Sequence, residues 1–104
     1  MNIKIMKNKE QKTFQLGEIK GDVYRKFLVV KDMLLKKEET KVEYTVKDFD
    51  DMCDFIIEAF EKKFTAAELL ESVNIWDINI YVVEIQKYIN DKTTNKMKVL
   101  TDSL

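Results

Sequence analysis

Between Thr45 and Ile89 the chain has little choice but to form helices. Apolar residues recur three and four positions apart, and only two short breaks interrupt them. Each new run opens on a small polar residue followed three positions later by an acid: Thr45 with Asp48, Thr65 with Glu68, and Asn74 with Asp77. In such a capping box the first side chain accepts from the backbone N–H three residues on, while the acid accepts from the N–H of the first. Three helices are therefore expected. The first carries Phe49, Met52, Cys53, Ile56 and Phe60 on one face, the second is short and runs through Leu69, Leu70 and Val73, and the third reaches about Asn90.

The first half reads differently. Ile3 and Ile5, then Thr13 to Leu16, alternate about Asn8-Lys9-Glu10, which predicts a β-hairpin. Gly21-Asp22 opens a further helix with Asp22 as its N-cap. Val23, Phe27, Val30 and Leu34 form its stripe, widened by Tyr24, Leu28 and Leu35, and it fades in Lys36-Lys37-Glu38-Glu39. A polar connection, 39–44, follows. The expected fold is a small single α+β domain over residues 1–90, mainly α with about four helices and a short N-terminal β-hairpin. Residues 91–104, DKTTNKMKVLTDSL, lose periodicity and read as a flexible polar tail.

Composition narrows the chemistry. The 104 residues suffice for one modest core, and they include no His, no Pro and only two glycines, Gly17 and Gly21. The commonest general base and metal ligand is thus missing, as is any glycine-rich loop to cradle a phosphate. An enzyme, a cofactor and a metal site are not expected. Cys53 stands alone on an apolar stripe and reads as a buried structural thiol. No apolar run approaches the roughly 20 residues of a membrane span, so a cytoplasmic protein that engages no membrane is expected.

Charge is unevenly spread. Residues 1–47 carry +5, residues 48–91 carry −8 and residues 92–104 carry +2. Asp50, Asp54, Glu58 and Glu61 are spaced to line one helix face. A solvated acidic stripe is the plain reading. A basic partner, head-to-tail self-association as a homo-oligomer, or imitation of a nucleic-acid backbone by a small regulatory inhibitor are the functional ones. Nucleic-acid binding itself is not expected, because Lys4, Lys7, Lys9 and Lys12 are accompanied by a single arginine, Arg25, and by no recognition motif.

The last helix is the exception to ordinary patterning. Ile78, Val82, Ile85 and Ile89 make one stripe, yet Ile75, Trp76, Ile80, Tyr81, Val83 and Tyr88 spread around the cylinder. In so short a chain that is more apolar surface than one core needs, and it is read as part of an interface, with central burial as the alternative. The expected protein-binding residues are Trp76, Ile80, Tyr81, Val83 and Tyr88, with the acids Asp50, Asp54 and Glu58 beside them.

Taken in order, KTFQLGEI, the helix VYRKFLVVKDML, the run DFIIEAFEKKFTAAELLESV and the apolar WDINIYVVEIQKYIN resemble the tail assembly chaperones of long-tailed, siphovirus-type bacteriophages infecting Gram-positive hosts. The most telling piece is Phe55-Ile56-Ile57-Glu58-Ala59-Phe60, followed by Phe64-Thr65 and Leu69-Leu70. One departure stands out: Glu61-Lys62-Lys63 occupies a turn where such proteins often carry Gly-Asn or a similar pair. The resemblance implies a non-enzymatic protein of the host bacterial cytoplasm, absent from the mature virion. It implies binding and solubilising the tape measure protein and helping to recruit tail tube protein around it. It also implies that a longer, frameshifted product can exist.

Overall fold

The computed structural model describes residues 1–102, and of Val99 the backbone alone. Two strands, β1 (Asn2–Lys7) and β2 (Glu10–Gln15), pair antiparallel from Asn2 opposite Gln15 to Lys7 opposite Glu10. Their turn consists of Asn8 and Lys9, both left-handed with φ of 54° and 64°, the backbone whose twist matches a two-residue hairpin. Ile3 and Ile5 point inward and are buried, and Phe14 opposite Ile3 is half-buried on the same body.

Four helices follow, as expected: α1 (Gly21–Thr40), α2 (Val46–Ala59), α3 (Ala66–Ser72) and α4 (Ile75–Asp102). Two capping boxes are complete. Thr45 Oγ1 accepts from the Asp48 N–H at 3.1 Å while Asp48 accepts from the Thr45 N–H at 2.9 Å, and Thr65 and Glu68 repeat the exchange. At Asn74 the acid half is present, with Asp77 accepting from the Asn74 N–H at 3.0 Å.

Three details of the sequence reading need correction. The N-cap of α1 is Lys20, not Asp22; the Asp22 carboxylate lies inside the first turn and accepts from the Val23 N–H. Of the α1 stripe, Val23, Phe27 and Val30 are buried, but Tyr24, Leu28 and Leu35 are exposed. They form a second stripe beside the core rather than a widening of it. Finally, α4 does not end near Asn90 but continues to Asp102. Its buried stripe of Ile78, Val82, Ile85 and Ile89 is followed at the next matching positions by Lys92 and Lys96, and residues 91–98 are exposed. Periodicity vanishes there because the helix has no body left to cover. The backbone ladder persists because no Pro or Gly breaks it. Positions 103–104 of the expected tail lie outside the described residues.

Helix α2 is the middle of the molecule. Its Met52, Cys53, Phe55, Ile56 and Ala59 are all buried, and both α1 and α4 pack on it while scarcely packing on each other. Phe55 meets Phe27 of α1 at 5.8 Å between ring centroids. The hairpin is fastened over α3: Met6 N–H donates to Ser72 Oγ at 2.9 Å, Lys7 pairs with Glu68 at 3.2 Å, and Phe14 meets Phe64 at 5.3 Å. With extents of 51 × 38 × 20 Å the body is about two helix diameters thick. That thinness leaves α1 and α4 with flanks that no third layer covers.

Candidate protein-binding groove

α1 and α4 run in opposite directions on α2, and a concavity of about 690 Å³ opens at each end of the seam between them. The first lies between the C-terminal half of α1 and the start of α4. Leu34, Val42, Tyr44, Met52, Val82 and Val83 supply its apolar walls, and Val42 and Tyr44 come from the connection between α1 and α2. The second lies between the N-terminus of α1 and the later turns of α4, where Tyr24, Tyr88 and Ile89 are joined by Lys20, Lys92 and Lys96. Tyr24 shares an exposed face of α1 with Leu28 and Leu35, four and eleven residues on, but those two line neither concavity.

The expected interface residues divide into three groups. Trp76, Ile80 and Val83 are 61%, 47% and 48% exposed, and at about 100° per residue they fall within one narrow arc of α4. Val83 reaches into the first concavity, so this arc is continuous with it. Tyr81 and Tyr88 occupy the opposite flank and are half-buried against the core. Burial pushes the Tyr81 hydroxyl above its ordinary pKa, helped by Asp77 and Glu84, and the Lys92 ammonium stands 5.6 Å over the Tyr88 ring. Tyr88 lines the second concavity, whereas Tyr81 lines neither.

Asp50 and Asp54 are exposed on the side of α2 turned away from Met52 and line neither concavity. Glu58 is half-buried, with its carboxylate 3.0 Å from Lys26 Nζ and 3.7 Å from Lys62 Nζ. The acids therefore form a separate outer stripe, already partly neutralised. The Cys53 thiol is buried, and that burial, with Asp50 and Asp54 nearby, pushes its pKa up to about 11. Such a thiol is a poor nucleophile. Among the described residues no group of three or more His, Cys, Asp or Glu is placed to hold a metal ion, and no helix is long and apolar enough to cross a membrane.

Sequence reasoning missed the wall contributed by Val42 and Tyr44. The connection has no periodicity to read, and the only signal was two large apolar side chains inside a polar stretch. It also missed that Leu28 and Leu35 are surface residues, because a stripe at helical spacing looks the same whether or not a partner element reaches it.

A family model described as phage tail chaperone protein matches residues 1–102, and the chain belongs to that family. No curated protein and no solved structure matches it.

Proposed function

We propose that this tail chaperone binds the tape measure protein of a long-tailed phage in the bacterial cytoplasm, keeps it soluble, and helps tail tube subunits gather around it. The observation that carries the reading is the apolar concavity between the end of α1 and the start of α4 together with the Trp76–Ile80–Val83 arc. Exposed contiguous apolar surface of this kind, framed by charge, is the ordinary signature of a protein-binding face. A groove between two helices receives an amphipathic helix well, and a tape measure protein rich in long apolar helices would present many of them. The carboxylates of the outer stripe serve solubility. Imitation of nucleic acid draws little support from that stripe, since of its three acids Glu58 is already paired with Lys26 and Lys62.

The test is co-expression with the tape measure protein encoded in the same genome. Soluble tape measure protein that co-elutes with the wild-type chain, and is lost to the pellet with Val83→Glu, supports the reading. Tape measure protein that stays insoluble beside a well-folded chain overturns it.

A further inference from the structure

The second concavity carries charge that its own copy leaves unanswered. Lys20, Lys92 and Lys96 stand round a wall of Tyr24, Tyr88 and Ile89, and Glu18 is the single acid among the described residues of the lining. None of these three lysines has an ion pair among the described residues. The concavity is open at Gly21, where an added Cβ would meet nothing within 4 Å. At the first concavity, by contrast, Lys37 and Lys41 are balanced by Glu38 and Glu43, and Lys37 is already committed to Asp48.

The complementary surface lies on the outer face of α2. Asp50 and Asp54 are exposed there and have no ion pair among the described residues. They line neither concavity, so the acids and the lysines of one copy do not meet. Their spacing nonetheless matches. Asp50 and Asp54 are one turn apart on α2, about 6 Å along the axis, and so are Lys92 and Lys96 on α4. One turn before the first charge each helix carries an apolar side chain, Val46 on α2 and Tyr88 on α4, and Val46 is 78% exposed. Laid side by side in the same direction, the two stripes bring Val46 to the tyrosine wall and both carboxylates to ammonium groups.

We infer that these two surfaces dock between copies of this chain: the second concavity of one copy receives the outer face of α2 from another. The chain supplies both halves of the contact, so every copy offers a site and an occupant. Exposed charge pairs are individually worth little, and the association is accordingly weak and salt-sensitive. Neither surface includes Val83 or the Trp76–Ile80 pair, so the self-contact and the proposed function stand or fall separately.

Sedimentation of the full chain over a range of concentrations tests the contact. The wild-type mass is expected to rise with concentration in low salt and to fall back towards one chain in high salt. Asp50→Lys with Asp54→Lys, and in a separate protein Lys92→Glu with Lys96→Glu, should each weaken association by roughly tenfold or more, the scale of two exposed charge pairs made repulsive. Mixing the two variants should restore it, because each then meets opposite charge on the other at both surfaces. Val83→Glu should leave it unchanged. Circular dichroism checks that each variant keeps the wild-type helicity, and the salt arm needs no substitution at all.

A wild type that stays at one chain up to about 1 mM in low salt, or that associates equally in low and high salt, overturns the inference. Folded variants that associate as tightly as the wild type, or a mixture that stays dissociated, overturn it as well. Loss of association with Val83→Glu would move the contact to the first concavity and overturn it too. None of these outcomes bears on whether the tape measure protein binds at Val83.

Discussion

The Lys37 ammonium lies 3.1 Å from Asp48 Oδ2 and 3.1 Å from the Glu43 carbonyl oxygen, so one side chain ties the end of α1 to the connection and to the start of α2. The same Asp48 oxygen closes the capping box by accepting from the Thr45 N–H. Both side chains are largely withdrawn from solvent, at 18% and 14% exposure, which sets this pair apart from surface pairs such as Lys36–Asp32. The tie reaches the connection at the Glu43 carbonyl, between Val42 and Tyr44 of the first concavity's wall. Lys37→Met keeps the aliphatic stem and removes both contacts. The expected cost is about 1–2 kcal/mol, the range for hydrogen bonds to charged groups. Amide exchange at Val42 to Thr45 should quicken while α4 is unaffected. Unchanged exchange there would show that the wall does not depend on Lys37.

Acid should loosen the helix starts. The Asp48 carboxyl is held below its ordinary pKa by the Thr45 N–H first and by Lys37 after it, and the Glu68 carboxyl by the Thr65 N–H and then Lys7. A carboxyl depressed in the folded state contributes stability above its unfolded pKa, and that contribution is lost as pH falls through the folded value. The unfolded values are near 3.8 and 4.5, so the urea midpoint should hold steady from neutrality to about pH 5 and drop below it. Asp48→Asn with Glu68→Gln should start lower and lose less. A double variant with the same acid slope as the wild type would place the sensitivity elsewhere.

The turn after α2 is built from residues ill suited to it. Glu61 N–H bonds the Glu58 carbonyl and Lys62 N–H bonds the Ile57 carbonyl, each at 2.9 Å, the two contacts of a Schellman motif. Glu61 and Lys62 both take left-handed backbone, with φ of 60° and 58°. Gly and Asn tolerate that region at little cost, whereas an ordinary side chain gives up about 1 kcal/mol there. Glu61→Gly with Lys62→Asn is therefore expected to raise the melting temperature by several degrees, since about 1 kcal/mol moves a domain of this size by roughly 4–8 °C. A lower melting temperature would mean that the Glu61 side chain, which lies over Gly17, contributes more than the turn costs.

Neighbouring positions on α4 should behave in opposite ways. Ile80→Glu adds charge to an exposed site and should leave helicity and stability within about 0.5 kcal/mol of the wild type. Tyr81→Glu places charge against the core and should cost about 1–3 kcal/mol. Under the proposed function Ile80→Glu also loses tape measure binding. Thermal melts of the two proteins separate the cases, and equal melting points would show that Tyr81 is not part of the packing.

What was readable from residues alone follows the range of the interactions involved. Capping at Thr45 and Thr65 is decided within four residues, so the starts of α2 and α3 were legible. The buried stripes of α2 and α4 were legible because one face of each is consistently apolar. Whether Leu28 or Val83 meets protein or water depends on what lies across from it, and in a body only two helices thick the answer for both is water. The length of α4 was hidden for a related reason. From Lys92 to Lys98 the side chains are exposed, and the backbone hydrogen bonds that continue the helix leave no hydrophobic rhythm to detect.

Because α1 and α4 are each seated on α2 and scarcely on each other, neither helix braces the other, and the spacing between them is set by α2 alone. Under the proposed function, a partner segment lodged between them would meet resistance only from each helix's own packing on α2, so segments of unequal girth would be admitted at separate cost to the two helices.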